Sequence, residues 1–263
     1  DTDRSRGLGD VYKRQGFVGK LAFPSANVSD RLEKTFTSVN FNMMIMVIYA
    51  LITIAIFGMW YYARYEGNFL PSPKKTFNPM MLVAIVILVP GTQFAANFIA
   101  NLTGYIRPDW MQQYNELFET SGITDTTFVT VLYSVILAPI CEELIFRGVT
   151  MRCARKALPF ALANLMQAAL FGLFHLNWIQ GIYAFALGIV LGYVCERGGS
   201  IYYSMGLHLL FNLWGTLSGF FPDPGNSVVV FVIVIAVTIV SLVVGFVLFN
   251  KGRRKLPINS TGI

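Results

Sequence analysis

Residues 157–195 read ALPFALANLMQAALFGLFHLNWIQGIYAFALGIVLGYVC, thirty-nine residues without a formal charge. One membrane crossing takes about 20 mostly apolar residues, because roughly 30 Å of hydrocarbon is climbed at about 1.5 Å per residue. This run is far too long for one span. Its polar interruption, His175, Asn177, Gln180 and Gly181, falls near the middle. Two helices joined by a turn at that patch account for both features. Strands of a membrane barrel would alternate polar and apolar positions over roughly ten residues, and the continuous apolar character excludes them.

The same length argument extends in both directions. Residues 41–62, 79–106 and 126–147 on one side, and 199–220 and 227–250 on the other, are each long and apolar enough to cross once. The expected fold is an all-α, polytopic transmembrane helix bundle of about seven spans. Of the 263 residues 55% are hydrophobic and 13% charged, with the charges in short clusters, which excludes an ordinary soluble domain. No fixed-period repeat or flexible linker divides the chain. The net charge of +6 belongs to the loops, so the expected partner is a lipid bilayer and nucleic acid is not needed to explain it.

Basic residues favour the cytoplasmic side. Arg147, Arg152, Arg155 and Lys156, then Arg197, then Lys251, Arg253, Arg254 and Lys255 alternate with turns holding Glu116, Glu119, Asp125 and Asp223. The last five crossings agree on one orientation with a cytoplasmic C-terminus, in a plasma membrane of bacterial type. Counting back puts Arg64, Lys74 and Lys75 inside and so places the residues before Phe41 outside, against the charge of Lys20, Arg31 and Lys34. Residues 1–15, DTDRSRGLGDVYKRQ, have no signal-peptide pattern and read as a non-native or artefactual polar leader, so an eighth span is expected upstream in the intact protein.

Glu142, Glu143 and Arg147 occur in PICEELIFRG, residues 139–148, at the end of an apolar helix. One such group at mid-membrane costs on the order of 3 kcal/mol, so three require a reason. Glu143 and Arg147 are i,i+4 and pair on one helix face, as an interfacial anchor would. That leaves Glu142 over. The chain has two histidines, His175 and His208, both in or at the edge of apolar spans, and Asn212 follows His208 by one helical turn. Polar groups on three or more helices can meet only inside a bundle.

E-E-x-x-x-R at Glu142 to Arg147, F-x-x-x-H at Phe171 to His175 and H-x-x-x-N at His208 to Asn212, in this order on successive helices, resemble the CPBP or Abi family, which includes the type II CAAX prenyl endopeptidases. The resemblance covers roughly residues 131–217. It divides the chain into the leader at 1–15, N-terminal spans with an extracytoplasmic amphipathic segment at 16–125, a CPBP/Abi-like catalytic core at 126–220, and the last span with a basic cytoplasmic tail at 221–263.

Peptide hydrolysis inside a membrane needs a water, a base and donors for the oxyanion. A carboxylate at membrane depth is suited to take and return a proton, and Glu142 is the expected base. His175 is expected to hold or polarise the same water. His208 and Asn212, on one face, suit donation to the tetrahedral intermediate, as the resemblance also implies. Glu143 and Arg147 are expected to support the site, and Phe171 to pack its wall or simply its helix.

A metal is a second possibility. Glu142, His175 and His208 match the donor types of a catalytic zinc set, yet H-E-x-x-H is absent. Family members have been described both with and without a metal; the favoured reading has no obligatory cofactor. The expected activity is endopeptidase action on a membrane-associated or lipidated peptide. Two alternatives stand beside it: a bacteriocin self-immunity protein, non-catalytic or dependent on proteolysis, and a proton-coupled transporter, for which the matching broken helices are not seen.

Other polar or small positions have simpler readings. Gly188 and Gly192 form G-x-x-x-G and are expected to let helices pack closely within the bundle. Gln93, Asn97 and Asn101, at four-residue spacing, are expected to form one inward face. Pro90 and Pro139 are expected to kink their helices. Cys141, Cys153 and Cys195 have no C-x-x-C spacing, and Arg107 and Trp110 open an interfacial amphipathic segment.

Overall fold

A computed structural model describes residues 39–66, 77–121, 127–218 and 227–252. The leader at 1–15, the basic positions Lys20, Arg31, Lys34, Lys74 and Lys75, the acidic Asp125 and Asp223, and the tail beyond Gly252 lie outside the described residues. Among those described, all regular structure is helical. The helices are α1 (Val39–Tyr61, continued by one π-helical turn at Tyr62–Glu66), α2 (Pro79–Ile106), α3 (Pro108–Ser121), α4 (Phe128–Ala154), α5 (Phe160–Phe174), α6 (Trp178–Gly198), α7 (Ile201–Ser218) and α8 (Val228–Gly252). The chain forms two compact units, Asp1–Tyr49 and Ala50–Ile263. Of the first, only residues 39–49 of α1 are described; the site lies wholly in the second.

Each of the seven expected spans is helical. Five helices are long and apolar enough to cross a membrane by length and composition: Met43–Arg64, Pro79–Ile106, Phe128–Ala154, Trp178–Gly198 and Val228–Gly252. The other two are α5 and α7, with physical reasons for falling short. α5 has 15 residues, about 22 Å of rise. α7 has 18 residues and carries Ser204, His208, Asn212 and Thr216 at four-residue intervals, a polar stripe that lowers its hydropathy. The long run that decided the fold breaks at 175–177, where His175 caps α5 and the Asn177 side chain accepts from Gln180 N at 2.7 Å to open α6.

Within hydrocarbon, burial of apolar side chains gives little drive for association, so close packing and interhelical hydrogen bonds carry the bundle. Leu88 of α2, Leu191 of α6 and Leu207 of α7 are fully buried in one cluster, with Phe249 of α8. The G-x-x-x-G pair packs inside the bundle: a Cβ on Gly188 would lie 3.1 Å from Ala168 Cα and 3.2 Å from Phe171 Cδ1, and one on Gly192 would overlap the Asn164 carboxamide. Asn78 ties three elements. Its side chain accepts from Met80 N to cap α2, its Nδ2 donates to Gly252 O at 2.8 Å, and its backbone N–H donates to the Tyr203 hydroxyl at 2.8 Å.

α2 runs without a break through Pro90. Proline removes a backbone donor and crowds the preceding turn, and α8 supplies a partner there. The Ser241 hydroxyl accepts from Gly91 N at 2.9 Å and donates to the Ile87 carbonyl, two groups that stand four residues apart on α2. The inward face expected for Gln93, Asn97 and Asn101 is corrected. Gln93 is buried but Asn97 and Asn101 are exposed, and Asn101 Nδ2 donates to its own helix at Asn97 O. Four-residue steps advance about 400°, so a stripe at that spacing drifts about 40° per step and leaves the core.

Candidate active site

α4 departs from regular α geometry on both sides of Pro139. Residues Leu132–Leu137 and Leu144–Met151 are π-helical, with Ala138–Glu143 between them. Such widened turns recur at functional sites because they re-aim side chains. Thr150 Oγ1 donates to Ile145 O, five residues back, in place of solvent. The helix continues to Ala154, so Arg147, expected at a span's end, stands within it, fully buried.

Glu143 Oε1 is the centre of the charged cluster. It receives Arg147 Nη1 at 2.8 Å and His208 Nδ1 at 2.9 Å, and Glu143 and Arg147 side chains are both 0% exposed. The Ser204 hydroxyl lies against the same carboxylate. Arg147 Nη2 reaches Gly188 O at 3.3 Å, and its Cζ stands 4.5 Å from the Phe171 ring centre. A carboxylate paired with arginine only accepts, so His208 Nδ1 carries the proton and its Nε2 is turned to Glu142 Oε2 at 3.6 Å. Glu142 is the less enclosed of the two glutamates, with 17% of its side chain exposed.

His175 sits at the end of α5, partly buried, with Nδ1 2.8 Å from Phe171 O. A carbonyl also only accepts, so this imidazole too has its Nδ1 proton engaged and Nε2 free to accept. Phe171, 1% exposed, separates the two histidines: its ring stands edge-on to His175 at 5.0 Å and to His208 at 5.7 Å. Asn212 Nδ2 donates to Ser134 O on α4 at 2.8 Å. Leu176, directly after His175, has φ 56° and 93% exposure; a left-handed leucine there makes the sharp reversal into α6.

α4, α5 and α7 thus bring Glu142, Glu143, Arg147, Phe171, His175 and His208 into one linked cluster, with Asn212 one turn beyond His208. For a zinc ion, Glu142, His175 and His208 have the right donor chemistry, and engaged Nδ1 protons are what ligating histidines commonly show. Yet the Phe171 ring stands between His175 and His208, and no group of three His, Cys, Asp or Glu residues among those described is placed to hold an ion. The residues present do not fit that ligand set.

Residues 124–214, about a third of the chain, match the family model described as type II CAAX prenyl endopeptidase Rce1-like. This segment is similar to that family. The matched residues run from the approach to α4 into α7 and include all seven motif residues, so the family expected from the motifs is the one found. Type II CAAX prenyl endopeptidases being proteases, the match supports a peptidase, and the five long apolar helices support an integral, multi-pass membrane protein. Neither the curated proteins nor the solved structures contain a match to the chain.

Several groups joined to this cluster are not apparent in the sequence. Asn164 and Gln167 are the two carboxamides of α5, and both turn inward: Gln167 Nε2 donates to Gly188 O at 2.8 Å and to Asn164 Oδ1 at 2.7 Å, and Asn164 Nδ2 to Ile189 O at 3.0 Å. Their three-residue spacing on an otherwise apolar helix was the available signal. Ser134 contributes only its carbonyl, which no side-chain pattern reveals. Trp110 of α3 stacks on Trp178 at 5.2 Å, three residues past His175, while Arg107 covers Trp110 at 4.2 Å. At the bundle surface, the two-pronged contact to Arg107 holds the Asp109 carboxyl below the usual carboxylate range.

Proposed function

We propose that this protein is an intramembrane endopeptidase that hydrolyses a peptide bond in a membrane-associated or lipidated peptide, with Glu142 as the base. The observation that carries the reading is the Glu142 to His208 approach at 3.6 Å, with His208 fixed from behind by the buried Glu143 and Arg147 pair. A histidine oriented by a buried carboxylate and facing a second, less enclosed one has the geometry of proton transfer.

In the proposed reaction Glu142 takes a proton from a water whose oxygen attacks the scissile carbonyl carbon, and His175 Nε2 accepts a hydrogen bond from the O–H that stays on that oxygen. The negative oxygen of the tetrahedral intermediate faces His208 and Asn212. His208 Nε2 becomes a donor by taking up a proton across the 3.6 Å gap to Glu142, and Asn212 keeps one N–H beyond the one given to Ser134. The C–N bond then breaks as the proton returns to the departing nitrogen, leaving a carboxylic acid and an amine. No metal is obligatory in this scheme, the C-terminus is cytoplasmic, and the membrane is of the bacterial plasma type.

The test is cleavage of a panel of membrane and lipidated peptides by purified protein in lipid. Glu142→Gln and His208→Ala are each expected to lose at least about a hundredfold in turnover, the usual share of a positioned acid or base. A chelator is expected to leave cleavage by the wild type unchanged; its abolition, restored by zinc, would replace the metal-free scheme. Equal cleavage by all three proteins rules out this site, and a wild type that cleaves nothing favours the self-immunity reading.

A further inference from the structure

We propose that Gln167 is a positioning residue of the catalytic centre, acting through the carbonyl oxygen of Gly188. The inference rests on the peptidase reading of the same cluster. Gly188 O accepts from Gln167 Nε2 at 2.8 Å and from Arg147 Nη2 at 3.3 Å, so a single oxygen joins α4, α5 and α6. Arg147 is fully buried, and its two terminal nitrogens point in different directions: Nη2 to this carbonyl, Nη1 to Glu143 Oε1, the oxygen that orients His208. The position of Gly188 O therefore sets where the guanidinium lies, and through it the angle at which His208 Nε2 meets Glu142.

Gln167 is 0% exposed and is suited to fix that oxygen. The second hydrogen of its Nε2 goes to Asn164, so the amide cannot rotate freely. The absence of a side chain on Gly188 is part of the device: a Cβ there would press on Ala168 and on the Phe171 ring that spaces the two histidines. Asn164 differs from Gln167 in one respect. It ties α5 to α6 at Ile189 O and reaches Arg147 only through Gln167, whose amide it holds.

The control is Ser241, whose hydroxyl bridges α8 to Gly91 N and Ile87 O of α2. Gln167→Leu and Gln167→Glu are compared with Ser241→Ala in the full chain reconstituted in lipid. Gln167→Glu keeps the shape, loses the donor and offers Arg147 a competing carboxylate. With peptide substrates, both Gln167 variants are expected to lose about ten- to a hundredfold in kcat with little change in KM, as small misplacements of reacting groups do, while Ser241→Ala follows only its own loss of melting temperature.

A second readout is independent of turnover. The chain has two histidines, so the nitrogen resonances of labelled imidazole separate into two sets, assigned with His175→Gln. The wild type is expected to show His208 protonated at Nδ1, and both Gln167 variants to shift that set while Ser241→Ala does not. Unmoved His208 resonances in both Gln167 variants overturn the inference even if the wild type cleaves nothing. Shifted resonances in a protein without peptidase activity retain the positioning role and count against the peptidase reading alone.

Discussion

At the residue scale the most consequential group is Glu143, fully buried and shared by Arg147 and His208. Removing one member of a buried ion pair strands a charge and typically costs about 3–5 kcal/mol, whereas replacing both by apolar groups is often neutral. Arg147→Leu or Glu143→Leu alone is therefore expected to destabilise the bundle by about that much, and the double variant to recover much of it while remaining inactive, because His208 has lost its orienting partner. Denaturant unfolding in micelles, read beside peptide cleavage, checks both halves. Failure of the double variant to recover stability would mean the pair is not the source of the loss. The charged motif residues were legible because charge within an apolar helix is conspicuous. Gln167 was not, because a neutral amide inside a span has the same sequence appearance whether it glues two helices or steers an arginine.

At the element scale, what the sequence showed well was where helices occur and where the longest run turns, since charge and length govern both. It showed less well which face of a helix is inward. Asn97 and Asn101 are exposed because four-residue spacing drifts around the helix, while Ser204, His208 and Asn212 stay useful on α7 because Ser134 and Glu143 of α4 meet the stripe as it turns. The π-helical turns of α4 leave no composition signal, since they depend on how neighbouring helices press on it. The Ser241 bridge beside Pro90 can be tested directly. Ser241→Ala leaves Gly91 N and Ile87 O without that hydroxyl, and a buried polar group left unpaired costs about 1–3 kcal/mol. The expected result is a lower melting temperature with turnover per folded molecule unchanged. An unchanged melting temperature would show that α2 closes its own hydrogen bonds there.

At the scale of the whole molecule, the orientation read from basic loops gives a labelling prediction. Among the cysteines, Cys153 is exposed while Cys141 and Cys195 are buried, and Cys153 lies beside Arg152 and Arg155 at the end of α4. A membrane-impermeant maleimide is expected to modify Cys153 in inverted vesicles and not in intact cells, with Cys153→Ser abolishing the signal. Labelling from the outer face would reverse the topology.

The shortness of α5 has a consequence for the bilayer itself. The helix starts a few residues after Arg155 and Lys156 and rises about 22 Å before ending at His175, against a hydrocarbon thickness of roughly 30 Å. The mismatch predicts a local thinning of the bilayer, a dimple in the lipid above His175. Beneath a dimple the apolar barrier is thinner, so a water molecule and an unwound peptide backbone each reach the histidine without traversing the full width of the oil.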